Sequence, residues 1–218
     1  MINKAFTDPV GFIISAIALL IAITVHEFAH AWAADHLGDP TPRLLGRLTL
    51  NPFVHLDAFG LLFLLFFGFG WGKPVTFDPF NLKNPRRDSA LISVAGPISN
   101  IITSAIFAVV LRLIFLAGSS DTSILTAGII VQIIYFNVLL ALFNLIPIHP
   151  LDGFKIVGGI LSRDQAREWY ALERYGMIFL ILLIIPIGQT SMLDLILRYP
   201  MSWILSLFIP SSPGMGVI

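Results

Sequence analysis

From position 10 to 25 the chain is almost continuously apolar, with only Ser15 and Thr24 as polar side chains. The run continues to position 34, long enough at about 1.5 Å per residue to cross a hydrocarbon core of about 30 Å. The pattern predicts a first membrane-spanning helix over 10–34. A polar stretch, 35–51, follows, in which "RLLGRLTL" (43–50) reads as a short strand or hairpin. The next apolar run, 58–71, has 14 residues and is rich in glycine. It is short for a span and suits a re-entrant or interfacial segment. Beyond a proline-containing polar loop come two long apolar runs, 89–117 and 122–148, joined by the turn "GSSD". A second polar stretch precedes two further runs, 172–187 and 192–209, split by "GQTS". The expected architecture is an all-α polytopic membrane protein. It has five to six transmembrane helices, a re-entrant or interfacial segment and a candidate β-hairpin after the first helix. The loops are too short for a separate soluble domain of about 50 residues or more. The chain therefore reads as one membrane-embedded domain, 1–218, with a core at 10–160 and C-terminal helices at 172–209.

Composition agrees. The 218 residues are 56% hydrophobic and 12% charged, with a mean hydropathy of +0.88, whereas soluble domains carry about 25% charged residues. The lipid bilayer is the first partner. A formal net charge of zero gives no reason to invoke nucleic acid. Cysteine is absent, which excludes disulfides and thiolate metal sites. No small-residue cleavage site closes the first apolar run, so it reads as a retained helix rather than a signal peptide.

The chemistry lies where the first run ends. "VHEFAHAW" (25–32) sets His26 and His30 four residues apart, on one face of a helix. Two imidazoles so placed can grip one zinc ion, and in H-E-x-x-H sites the glutamate, here Glu27, is the general base. A charged group at mid-bilayer costs from about 2.5 to over 10 kcal/mol, so its presence needs a partner or a function. The bland alternative is a polar patch that glues helices together. A catalytic zinc takes three protein ligands and keeps one position open. The best candidate for the third is Asp152 in "FNLIPIHPLDG" (143–153), where Pro147 and Pro150 interrupt an apolar run. Asp152 could instead simply N-cap the next helix.

Taken together, "HEFAH", "NPFVHLD", "AGPISN" and "NLIPIHPLDG" resemble the site-2 protease family of intramembrane zinc metalloproteases, in the right order over 10–159. The closest likeness is to the short prokaryotic type without PDZ or CBS domains. The resemblance implies His26, His30 and Asp152 as zinc ligands and Glu27 as the catalytic carboxylate. It also implies Asn144 as a group that holds substrate backbone or stabilises the developing oxyanion; a helix–helix hydrogen bond is the plain alternative. The family usually has proline where this chain has His149, which could reach the metal or face water. His55 is either near the substrate loop or structural, and His36 reads as an interfacial cap.

The implied reaction is hydrolysis of peptide bonds within or near transmembrane segments of membrane proteins. Zn2+ is the cofactor, and an adaptor or upstream protease is a candidate partner. An unwound substrate could pair with 43–50, and the glycine-rich stretch 60–72 could gate access. The alternatives are a membrane zinc transporter, an inactive adaptor, or another membrane-embedded zinc hydrolase. The remaining glutamates, Glu168 and Glu173, lie in or beside a polar loop and suit the last poorly. Six full spans would put Asp152 across the membrane from the two histidines. The conflict disappears if 58–71 enters and leaves from one face. Five spans then follow, with the N-terminus outside and the site toward the cytoplasm of a prokaryotic cell membrane. Lys73, Lys83, Arg86 and Arg87 share that side with Lys155, Arg163, Arg167 and Arg174, while "GSSD" and "GQTS" carry no Lys or Arg.

Overall fold

Asp8 starts the first helix: its carboxylate accepts from Gly11 N at 2.9 Å, and Pro9 follows where a missing N–H is harmless. Helix α1 spans Pro9–His36. The computed structural model describes residues 7–60, 62, 71–117 and 121–210. Short helical turns α2 (Thr41–Leu44) and α3 (Pro52–His55) follow, then a 3-10 turn at Pro79–Asn81. The long helices α4 (Pro85–Leu116) and α5 (Asp121–Asn144) come next. Helices α6 (Asp152–Ile160) and α7 (Arg163–Ala171) are short. Last come α8 (Gly176–Ile184), a two-stranded pairing of β1 (Pro186–Ile187) with β2 (Thr190–Ser191), and α9 (Met192–Phe208).

The bundle is built on rows of four-residue spacing. On α1 the buried row is Ala18, Ala22, His26, His30 and Ala34; on α4 it is Ile92, Gly96, Asn100, Ser104 and Ala108. Such i±4 rows interlock, and small residues let backbones approach where lipid gives no hydrophobic drive. α4 runs antiparallel to both neighbours: His26 meets Asn100 while His30 meets Ile92, and Asn100 meets Asn137 while Ser104 meets Ile134. The end of α1, the start of α4 and the end of α5 therefore lie together. Leu82 packs there against Ala33, Ala34 and Ile92.

Among the described residues three helices are long and apolar enough to cross a membrane: Pro9–His36, Pro85–Leu116 and Ile124–Asn144. The expected five to six spans are not reached on that measure. The run 172–187 opens with a 3-10 turn at Leu172–Tyr175, and the 9-residue α8 that follows stops at Ile184, shortly before Pro186, which cannot continue a helix. The 17-residue α9 falls just short of a full span. Together α8 and α9 cover the proline-broken loop, with Leu180, Leu183 and Leu197 packed on Ile146 and Leu151.

The expected strand at 43–50 is absent. Thr41–Leu44 is helical, Gly46 turns the chain at a φ of 68°, and Arg47 N bonds Pro42 O at 2.8 Å. Arg47 turns inward and donates to the carbonyls of Val54 and Lys73. Those bonds, Lys73 N to His55 O at 2.8 Å and a bridge between Leu56 and Gly72 bring the two ends of 56–72 side by side. The expected re-entrant segment 58–71 and the "GSSD" turn lie largely outside the described residues.

Candidate metal centre

His26 and His30 continue the alanine row of α1, so the packing that joins the helices also buries both imidazoles. Asp152 opens α6. It is not the cap: Leu151 holds that position without a side-chain bond, and the Asp152 carboxylate points to the histidines instead. Gly153 makes this possible, since a Cβ there would collide with the carbonyls of Leu145 and Ile146.

Three atoms meet. Asp152 Oδ2 is 3.0 Å from His26 Nε2 and 3.1 Å from His30 Nε2, and the two Nε2 atoms are 3.0 Å apart. The outer nitrogens are engaged: His30 Nδ1 with Ile92 O and His26 Nδ1 with Asn100 Oδ1, each at 2.7 Å. A carbonyl only accepts, so His30 carries its proton on Nδ1 and presents a bare Nε2. Three acceptor atoms facing one another repel unless a cation lies between them. Tetrahedral coordination at 2.0–2.1 Å requires ligand atoms roughly 3.3 Å apart, close to the spacing here. Neutral imidazoles with the carboxylates of Asp152 and Glu27 give the site a formal charge that suits a divalent ion. The residues fit zinc.

Above the three atoms, α4 comes so close that a Cβ on Gly96 would lie 2.5 Å from His30 Nε2 and 2.6 Å from His26 Cε1. On the other side is a cavity of about 120 Å³, bordered by Glu27, Asn144, Ser93 and Lys155. An extended strap, 71–78, supplies Pro74, Val75 and Phe77 to its wall. Val75 N donates to Glu27 Oε2 at 2.8 Å, and Lys155 Nζ lies 4.7 Å from the centre of the Phe77 ring. Asp39 fastens the strap. It accepts from Asp78 N at 2.7 Å, Asn81 Nδ2 at 2.8 Å, Thr41 Oγ1 at 2.6 Å and Thr41 N at 3.1 Å. Burial alone would raise the Asp39 carboxyl, but the hydrogen bonds outweigh it and hold it below its ordinary value.

Of the residues expected from sequence, His26, Glu27, His30, Asn144 and Asp152 border this one cavity. Asn144 Nδ2 bonds Leu140 O in its own helix at 3.0 Å. His149 stands apart, 3.7 Å from Glu173 and against the Phe154 ring. His55 is fully buried and bonds Thr49 O at 2.8 Å, a loop role. His36 is the last residue of α1 and bonds Trp32 O one turn back at 2.9 Å. Sequence reasoning noted Gly96 and Asn100 only as part of "AGPISN" and gave them no role, and it missed Asn137 and the strap. The usable signal was two asparagines in otherwise apolar helices.

A family model for peptidase family M50 matches residues 14–129, which include His26, Glu27 and His30. The candidate zinc metalloprotease YwhC of Bacillus subtilis is 39% identical over 177 residues, covering 79% of this chain and 81% of that protein. The candidate zinc metalloprotease Rip2 of Mycobacterium tuberculosis is 31% identical over 179 residues, covering 79% of this chain and 66% of that one. A zinc metalloprotease of Methanocaldococcus jannaschii is 23% identical over 147 residues, covering 67% and 34%. No solved structure matches the chain.

Proposed function

The chain belongs to peptidase family M50, and from that premise we propose an intramembrane zinc metalloprotease of site-2 protease type in which His26, His30 and Asp152 hold the zinc and Glu27 is the catalytic carboxylate. The observation that carries the assignment is the meeting of two imidazole nitrogens and a carboxylate oxygen within 3.1 Å, beside a second carboxylate. At about 1.5 Å per residue, His30 and His26 lie roughly 9 and 15 Å inside the His36 end of α1. That depth suits substrates cut within or near their own membrane spans.

Bound zinc supplies a Lewis acid for activating water and polarising a peptide carbonyl. Glu27 takes the proton of the attacking water and returns it to the leaving amine. The Val75 N–H holds one Glu27 oxygen, which fixes the carboxylate against the cavity. Asn144 spends one amide hydrogen on Leu140 O; its second serves the substrate carbonyl as the oxyanion develops. The cavity has room for a few water molecules, at about 30 Å³ each. Glu27→Gln should retain zinc and lose cleavage of a model transmembrane substrate by at least about 10²–10⁴-fold. Cleavage at the wild-type rate would overturn the assignment of Glu27.

The same proposal includes five spans, with α8 and α9 entering the bilayer as a hairpin, and an adaptor or upstream protease that prepares the substrate. The site end faces the cytoplasm of a prokaryotic cell. Bacterial and archaeal relatives support the setting. The lysines and arginines around α4, α6 and α7 support the side. In intact cells, single cysteines at Thr7 and Ser120 should react with an impermeant thiol reagent. Those at Thr41, Asn84 and Gln165 should not; labelling at Thr41 inverts the orientation.

A further inference from the structure

We infer that Asn100 and Asn137 are positioning residues for the metal: a hydrogen-bond chain across three helices fixes which nitrogen of His26 carries its proton and aims the other at the zinc site. The inference rests on His26 being a zinc ligand.

The chain runs between backbone carbonyls. Asn137 Nδ2 donates to Ile133 O at 2.8 Å, which turns Asn137 Oδ1 toward α4. Asn100 Nδ2 donates to that oxygen and to Ala22 O, each at 2.9 Å. Carbonyls cannot donate, so neither amide can be reversed without placing oxygen against oxygen. Asn100 Oδ1 is thereby left to face His26 Nδ1 at 2.7 Å, where it can only accept. His26 must hold its proton on Nδ1, and its Nε2 lone pair is free for metal. Both asparagines are fully buried, as is Ser104 one turn further along α4. His30 needs no such relay, because Ile92 O sets its tautomer directly.

A pure helix–helix contact would make a different forecast. It would favour an apolar replacement over a buried charge at position 100. Positioning requires an acceptor there, whatever its charge. The test is zinc affinity of the purified protein, measured by competition with a chromophoric chelator, with unfolding temperature in EDTA read alongside. Asn100→Leu should weaken zinc binding by about 10–100-fold, the usual loss when the group behind a metal-bound histidine is removed. Asn100→Asp keeps an acceptor for Nδ1, and with a proton on its other oxygen it can still donate to Ala22 O or Asn137 Oδ1, so it should recover part of the loss. Asn137→Leu should cost a smaller factor, since Ala22 O still orients Asn100.

Zinc affinity of Asn100→Leu within twofold of wild type overturns the inference. Where a variant does not fold, nitrogen-15 spectra of zinc-loaded wild type decide. His26 should show a protonated Nδ1 and a metal-bound Nε2; the reverse overturns the inference. His26→Ala separates the two levels of argument: if it binds zinc as wild type does, the metal assignment itself fails. If it loses zinc while Asn100→Leu does not, only the positioning role fails.

Discussion

The two ends of the three-helix bundle are made of different material. Toward the far end Ala108 and Leu111 of α4, Ala127, Ile130 and Ile134 of α5 and Met201 of α9 close on one another as an apolar cluster. At the near end α4 and α5 meet α1 instead and bury His26, His30, Asn100 and Asn137, and every ring and amide nitrogen bonded there has a named partner. The difference reflects the solvent. Lipid tails are as apolar as leucine, so apolar faces gain little by meeting each other rather than lipid. They supply volume and close packing. Direction comes from the polar groups, each of which is costly in lipid unless bonded. One end holds the helices at a distance; the other states which atoms face which.

The sharpest test of that contrast is at the near end. His26→Ala and His30→Ala should each lower zinc affinity by more than about 100-fold, beyond what loss of an outer partner costs. Elemental analysis after dialysis reads it directly, and full occupancy in either variant breaks the assignment. Asp152→Asn keeps shape and removes charge, so zinc binding and cleavage should both weaken while the protein stays folded. Normal cleavage would place the third ligand elsewhere. His149, paired with Glu173 and apart from the cluster, should be replaceable by alanine with zinc content unchanged.

The far end should answer in the opposite way. Leu111 is fully buried, and Leu111→Ala should leave a cavity costing about 2–5 kcal/mol of stability, less where lipid or neighbours fill it. Zinc affinity should remain within about twofold of wild type, because remote, uncoupled sites behave additively. A large drop in zinc affinity, measured beside thermal unfolding in detergent, would mean that the two ends act as one unit.

This contrast also explains what could be read from the chain. The i, i+4 histidines stand out because they replace alanine on a continuous helical row, and Asp152 because a proline-broken run ends beside it. The three long helices were legible from apolar length alone. The Asn100–Asn137 link was not, since 37 positions separate the partners and nothing local distinguishes it from a simple helix contact. The strand expected at 43–50 failed because alternation of Arg and Leu resembles a half-buried strand. Arg47 actually turns inward to bind backbone carbonyls, which leave no mark in sequence. The strap is held in the same way, by Asp39 and Glu27 on amide hydrogens of Asp78 and Val75. The shortfall in the C-terminal spans comes from both ends of one run, a 3-10 turn at Leu172–Tyr175 and Pro186 just past α8, and from an α9 of only 17 residues.

The smallest expected effect is also the most local. Asp39 is ionised in the fold, with its carboxyl held below the ordinary value by donors from Thr41, Asn81 and Asp78. A carboxyl depressed in the folded state stabilises only while the unfolded form would also be charged, above about pH 4. The contribution is lost as pH falls through the lower folded value. Asp39→Asn places an amide nitrogen against donors, so it should loosen the strap at neutral pH. The difference from wild type should stay level between pH 5 and 7, then shrink below about pH 4 as the wild-type carboxyl itself takes a proton. Hydrogen exchange over 71–82, corrected for the intrinsic rate at each pH, is the measurement. A difference that persists unchanged to pH 3 would show that Asp39 acts through shape rather than charge. At each pH from 5 to 7 zinc content should be the same in the two proteins, because no zinc ligand bonds to Asp39 or to the residues that it ties. If zinc and strap were lost together, the near end would be one cooperative unit and not a metal site with a separately fastened cover.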